Sequence, residues 1–402
     1  MRRVVITGMG AVSCLGLDAP SLWTALVEGR SGIGPIVGVE GPSLRQPIAG
    51  QIRGFEPEAH FDEKRLPLLD RISQLSVVAA REAVAQSGFD PAREGSSART
   101  ATIIGTGVGG DTTHDQQMRR LYGGDGRVHP LSIPRIMASA PAAHVSIEFG
   151  LTGPAFGVTS ACASTNHALA QALLMIRAGV VDAAVAGGVD ACITYGILKA
   201  WEGMRVMASD ACRPFSAGRR GMVISEGAGM FVLEEFEAAR SRGATVLAEF
   251  AGAGMSADAS DLVMPDEAGA AGAMRAALAD ARLHAEQIGY INAHGTGTVA
   301  NDITETRAIR RVFGRHADAL SVSSTKSGHG HAMGAAGALE LVATINALRT
   351  GRIPPTIGYL GPDPECDLDY TPNAARPRDI EAALSNSFAF GGLNAVIALR
   401  RA

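Results

Sequence analysis

The chain opens on an apolar, β-branched run, VVITGMGAVS, which reads as a strand entering a glycine turn. A helix is predicted from about Ser73 to Ser87, stopped by Gly88, and a second apolar run follows in ATIIGTGVGG. A third, VTSACAST, leads into the apolar HALAQALLMIRAG. The same order then returns. VLAEFAGAGMSAD is followed by a predicted helix from about Asp266 to Arg282, by YINAHGTGTV, and by VSSTKSGHGHAMGAAG leading into ALELVATINALRTG. Each half closes on a strand pair, AAVAGGVD with GMFVLEE in the first and AALSNSFAF with NAVIALR in the second. Such self-similarity predicts a duplicated α/β fold with halves at 1–243 and 244–402.

The two helices that follow the repeated turns differ from ordinary surface helices. From Thr165 to Ile176 there is almost no charge, and the Gly/Ala-rich helix after Gly334 is similar. A helix without a polar face is expected to be buried on all sides. One such helix per half predicts a central helical layer between two sheets, a five-layer α-β-α-β-α arrangement.

Composition narrows the class. With 46% apolar and 19% charged residues the chain suits a compact enzyme and not a disordered segment. A net charge of −4 without a basic run argues against nucleic acid as the main partner. No stretch reaches the roughly 18 apolar residues of a membrane span. MRRVVITGMGAVSC superficially mimics a lipoprotein signal, but its short, glycine-interrupted core reads better as a strand, so a cytoplasmic protein is expected. Five cysteines with no CxxC pair predict neither a disulfide framework nor a metal site.

Among those cysteines, Cys162 stands between a strand and a helix whose first turn is small and polar. Free backbone N–H groups and the helix dipole there favour thiolate, and a lowered pKa is expected. Cys14, Cys192, Cys212 and Cys366 have no such setting and read as inert. At equivalent turns of the second half stand His294, Lys326 and His331, and a two-fold relation between the halves brings them to the Cys162 cavity. His114, His144, His284 and His316 read as structural or solvated. A Cys-His hydrolase needs only one base, whereas two neutral histidines donating Nε2–H can hold the enolate oxygen formed when a malonyl thioester loses CO2. The Cys162 and Phe390 amides can form a second oxyanion hole, the Gly-rich turn in SNSFAFGGLN permitting close approach. Lys326 reads as either a catalytic base or a structural cation, the second being favoured because Asp302 and Glu305, about one helical turn apart in NDITET, can pin it.

These residues resemble the thiolase-fold condensing enzymes, and within them the elongating β-ketoacyl-acyl-carrier-protein synthases. The resemblance runs from VVITGMGAVS and IIGTGVGG through SACAST, RPFSAGRRGMVISEGAG, NAHGTGT and STKSGHGHAMGAAG to NSFAFGGLN. It implies Cys162 as nucleophile, His294 and His331 as the malonyl-facing pair, Lys326 as the motif lysine and Glu305 as its partner. It further implies pantetheine contacts at Thr296 and Thr298 and a gating role for Phe390. Acyl carrier protein is the implied partner, its phosphopantetheine carrying the substrates, with no separate cofactor and a homodimer as the assembly. An acyl tunnel is expected at Val108, Ile133 of the opposite protomer, Ile193, Ile197 and Trp201, and carrier docking at Lys64, Arg65 and Arg205. His329, Ala389, Ser225 and Leu393 depart from the usual pattern, and the TKSxHGH form with KAWEGMRVMASDACRPFS upstream resembles the nodulation and secondary-metabolite branch.

Three rivals remain open. GTGVGG fits the GxGxxG of a dinucleotide-dependent oxidoreductase, but no acidic residue follows at the expected spacing. A degradative thiolase resembles this chain but has a second catalytic cysteine near its C-terminus, and no cysteine follows Cys366. A non-elongating acyltransferase, or a partner subunit that only sets chain length, is the third. The presence of Cys162 weighs against the partner subunit.

Overall fold

The computed structural model describes residues 2–39, 41, 43–92 and 95–402. Ten strands form its main sheet: β1 (Val4–Ser13), β2 (Thr100–Gly105), β3 (Ala155–Val158), β4 (Ala183–Asp190) and β5 (Gly227–Glu235) in the first half. The second half supplies β6 (Ala248–Ala257), β7 (Ile288–Asn292), β8 (Ser321–Ser323), β9 (Ala382–Ala389) and β10 (Leu393–Arg400). Their spatial order is β8-β7-β9-β10-β6-β1-β5-β4-β2-β3. Adding five to each label of the order 3-2-4-5-1 gives 8-7-9-10-6, so the second half repeats the topology of the first. β2 pairs in parallel with β3 and β4, β7 in parallel with β8 and β9, and the remaining neighbours are antiparallel.

Sequence periodicity predicted two separate sheets. The structure instead joins them at one edge, where Val5 pairs with Glu249 and Ile6 with Ala248. The sheet folds at this short seam over a central layer. In that layer α2 (Ser164–Arg177) packs on β2 and β4 and also on β6 and β10, while α7 (Ala336–Thr350) touches strands of both halves. Outside lie α1 (Arg71–Ser87) on β1 and β5, and α4 (Glu267–Ala281) on β6 and β10, with α5 (Val299–Phe313) packed on α4. Five layers result.

Local chemistry sets these elements. Asp70 caps α1 by accepting from the Ile72 amide at 3.0 Å, and Gly88 ends it at φ 60°. Asp266 caps α4 through the amides of Ala268 and Gly269. The repeated glycines of β1 and β6 let the outer helices come close. A Cβ at Gly8 would lie 2.0 Å from the Ala83 carbonyl, and one at Gly254 would lie 2.1 Å from that of Ala273.

α7 is buried from Ala336 to Leu348, as its composition predicts. α2 is not wholly so. Leu174 is 46% exposed, and beside α2 the edge strand β3 exposes Phe156. The uncharged pattern of α2 therefore reflects an apolar outer surface as well as a core. A Leu341→Ala variant in α7 is expected to lose about 2–5 kcal/mol of stability by cavity formation. Leu174→Ala should shift the urea unfolding midpoint far less at concentrations where the chain is monomeric.

Candidate active site

Cys162 lies in a tight turn, Ala161–Ala163, between β3 and α2, and is 5% exposed. The reversal is made by Ala161 at φ 48°, a left-handed conformation that costs a residue with a Cβ about 1–2 kcal/mol. Met333, at φ 49°, makes the corresponding turn ahead of α7. There the place of the thiol is taken by Gly334, whose Cβ would lie 2.4 Å from the Gly107 amide. The duplication thus yields two strained turns, and only the first carries a nucleophile. The expected lowering of the thiol pKa is corrected by the structure. Burial pushes Cys162 up to about 12, with Lys326 opposing and Asp190 adding to the rise. Loss of water around the sulfur outweighs the helix N-terminus.

His294 follows β7, and His331 follows the single turn α6 (Lys326–His329). The Cys162 sulfur and a ring nitrogen from each histidine all lie within 4.8 Å of one another, and the two rings meet nearly perpendicular at 5.4 Å between centroids. The partners of the rings define their tautomers. The Met333 amide donates to His331 Nδ1 at 3.0 Å, and Lys326 Nζ stands 3.4 Å from His294 Nδ1. An ammonium only donates, so both rings carry their proton on Nε2. Burial, reinforced by Lys326, holds both pKa values well below the usual 6.5, and the rings are neutral. A thiol and two imidazoles are also a ligand set for a soft metal ion. The set does not fit one here, because each Nδ1 is already an acceptor and each Nε2 bears the proton a metal would displace.

Lys326 is fully buried, as expected of a structural cation, but its partner differs from the prediction. Its ammonium pairs with Glu340 of α7 and donates to the His294 carbonyl at 2.6 Å. Glu305 instead accepts from the amides of His294 and Gly295, each at 2.8 Å, and from Asn386 at 3.0 Å. Asp302 accepts from the Phe215 amide at 2.7 Å and lies 3.5 Å from Arg219. These two carboxylates fix the backbone of the His294 loop, whereas Glu340 neutralises the lysine. Burial raises Glu340 and Asp302, each to about 7. The sequence did hold a signal for Glu340, the one charge in the buried part of α7.

A cavity of about 170 Å³ leads from the surface to this cluster, lined by Cys162, His294, His331, Thr296, Thr298 and Phe390 among others. The Thr296 and Thr298 hydroxyls lie 2.8 Å apart. Val263, Met264, Pro265, Asn301 and Asn394 also line it and were not anticipated. Trp201, on α3 (Tyr195–Met204), stacks on Phe390 at 5.8 Å. Ile197 on α3 and Ile193 just before it pack against the Cys162 cluster without lining the cavity. Val108 and Ile133 are 36% and 64% exposed and stand outside the cavity in this single chain. Of the residues expected to dock a carrier, Lys64 and Arg205 are exposed, but Arg65 is paired internally with Glu148.

The glycine turn after β2 answers the dinucleotide reading. The amides of Gly107 and Val108 donate to Asp190 at 2.8 and 3.2 Å, as does Gly334 at 2.6 Å from the other half. An internal carboxylate occupies the position where a phosphate would sit.

A buried thiol facing two imidazole donors, on a duplicated thiolase-like fold, defines a thiol-dependent acyl transferase that can also stabilise an enolate. The comparisons with known proteins agree. The descriptions "Beta-ketoacyl synthase, N-terminal domain" and "Beta-ketoacyl synthase, C-terminal domain" match residues 1–239 and 247–360. The chain belongs to the β-ketoacyl synthase family and is a condensing enzyme of acyl-chain elongation. It is 53% identical to nodulation protein E of Rhizobium sp. (strain N33), covering 100% of this chain and 99% of that protein. It is 38% identical to 3-oxoacyl-[acyl-carrier-protein] synthase 2 of Staphylococcus aureus (strain COL), covering 100% and 98%. Among solved structures, the ishigamide ketosynthase/chain length factor superposes with a TM-score of 0.95 at 36% identity, covering 100% and 99%. A type II polyketide acyl-carrier protein in complex with its ketosynthase gives 0.91 at 31%, with the same coverage. Among the described residues, no helix is long and apolar enough to cross a membrane.

The neutral histidines make stability depend on pH. Unfolded, His294 and His331 take up protons below about pH 6.5, while the folded chain keeps them neutral, so the unfolded state binds more protons. The two rings therefore contribute stability that is lost as pH falls through 6.5, by about 1.4 kcal/mol per unit for each, while the raised carboxylates of Asp302 and Glu340 contribute in the opposite direction. A His294→Gln variant is expected to remove one ring's share, so that its stability falls less, or rises more, than that of the wild type as pH goes from 7 to 5 in denaturant titrations.

Proposed function

We propose that this chain is a 3-oxoacyl-acyl-carrier-protein synthase in which Cys162 holds the acyl group and His294 and His331 bind the malonyl unit. The observation that carries the reading is the meeting of one thiol with two neutral, Nε2-protonated imidazoles in one buried cavity. In the first half-reaction the Cys162 sulfur attacks the acyl thioester of a carrier. The bond between the acyl carbon and the carrier's sulfur breaks, and the thiol proton leaves with the departing carrier thiol. This balance suits a nucleophile that rests protonated. In the second, the malonyl carboxylate departs as CO2, and the electron pair passes to the thioester oxygen, which the two Nε2–H groups stabilise. The resulting carbon nucleophile attacks acyl-Cys162. The amide of Phe390, with that of Cys162, holds the oxyanion until the Cys162 sulfur leaves as thiolate, which takes a proton from solvent to restore the resting thiol.

Thr296 and Thr298, at the mouth of the cavity, suit the amides of a phosphopantetheine arm. Lys64 and Arg205 offer exposed cations to an acidic carrier protein, met in the cytoplasm. No separate cofactor enters these steps. Val108 and Ile133 would join the acyl tunnel through a second copy. The exposed Phe156 of the edge strand β3, with Leu174 and Ile147 beside it, supports a homodimer formed across that edge. The higher identity to nodulation protein E than to the synthase 2 relative, together with Trp201 against Phe390, favours a specialised acyl primer over the housekeeping one.

Incubation with acyl-carrier protein is expected to add one acyl mass to Cys162 and none to Cys162→Ala, as read by intact and peptide mass spectrometry. His294→Ala and His331→Ala should still take up the acyl group but lose malonyl decarboxylation by about 10²–10³-fold. Loss of acyl uptake in both would point to a Cys-His base mechanism instead. A panel of acyl primers of graded length then defines the substrate.

A further inference from the structure

The turn between Lys326 and His331 holds a third imidazole that the chemistry above leaves unused. His329 is fully buried and does not line the cavity. Its Nδ1–H donates to the Gly330 carbonyl at 2.7 Å, and its Nε2 accepts from the Thr325 hydroxyl at 3.0 Å. Thr325 is the residue before α6 and Gly330 the residue after it. The ring therefore closes a bracket across the four-residue helix whose first position is Lys326.

Such a bracket has a physical task. A single helical turn has fixed its backbone for almost no hydrogen-bond ladder, so it holds its shape only through outside contacts. Gly330, at φ 75°, passes directly into His331, whose amide donates to Val223 at 2.7 Å and whose carbonyl accepts from Ser225 at 2.9 Å. Those two bonds hold the His331 backbone from one side. The His329 ring holds the segment from the other, and links its position to that of Lys326. Burial and Lys326 also keep His329 neutral, with a pKa near 3, so it adds no second cation to the pocket.

We propose that His329 is a positioning residue for the decarboxylation half-reaction, fixing Lys326 and His331 relative to each other through its bonds to Thr325 and Gly330. The proposal rests on the reading of His294 and His331 as the malonyl-facing pair. Its effect falls mainly on the His331 wall of the cavity, because Cys162 is held by the other half of the molecule and the Lys326 ammonium stays anchored by Glu340 and the His294 carbonyl.

The test measures acyl uptake by Cys162 and decarboxylation of malonyl-carrier protein separately, in the full-length chain. His329→Leu is expected to lower kcat for decarboxylation by about 10²-fold, the scale of an ångström-level misplacement. KM and acyl uptake should stay within about threefold, since no contact with either substrate is removed. His329→Asn should recover about tenfold of the loss, its amide N–H being able to donate to the Gly330 carbonyl. Ile345→Val in the core of α7 serves as a control that lowers the melting temperature without altering the ratio of the two rates. Equal slowing of both half-reactions by His329→Leu, or no rescue by His329→Asn, would overturn the proposal. Should His329→Leu not fold, Thr325→Val removes one arm of the bracket, and wild-type decarboxylation in that variant would equally refute it. A His331→Ala variant that keeps decarboxylation would remove the underlying reading, which separates that failure from this one.

Discussion

The site depends on one buried ammonium. Lys326 has no exposure to solvent, and a charge in that position is tolerated only with a partner, which Glu340 supplies from α7. From there the ammonium reaches the carbonyl and the Nδ1 of His294. It fixes the His294 tautomer, adds to burial in keeping both rings neutral, and is the strongest influence favouring thiolate on Cys162. One ion pair therefore links the helix that forms the centre of the second half to the charge state of the site. A buried pair of this kind is weak evidence for stability, but removing one partner strands the other charge.

Duplication explains how a single cavity acquires two kinds of chemistry. Two copies of the same strand order meet at a short seam, and their strained turns at Ala161 and Met333 touch each other at the N-terminal ends of the central helices. One turn holds a thiol. The other holds Gly334, and a side chain there would collide with Gly107 and with Asp190. The space so left lets Asp190 tie the first half to the second through Gly107, Val108 and Gly334. The histidines come from loops of the second half that correspond to the β2 and Cys162 turns of the first. The thiol and the two imidazoles of the cavity are thus divided between the two halves of the duplicated fold.

Much of this was legible in the residues. The stop of α1 at Gly88, the start of α4 at Asp266, and the apolar stretch of α7 follow from local sterics and hydrogen bonding, so they could be read directly. Cys162, His294 and His331 were legible because each stands where an apolar strand gives way to small residues. The partner of Lys326 was not, since Asp302 and Glu305 are near in sequence and Glu340 only in space. Nor was the thiol pKa, because a helix N-terminus can be read from sequence while the water a sulfur loses on burial cannot.

The sequence by itself determined the repeat, the elements, and the turns that carry Cys162, His294 and His331, all of which rest on local patterns along the chain. The tertiary structure alone decided which carboxylate neutralises Lys326, which ring nitrogens carry protons, how far burial raises the thiol, and that Trp201 closes on Phe390. These depend on distances between segments far apart in the chain and on the exclusion of water between them, and neither quantity is encoded in any single stretch of residues.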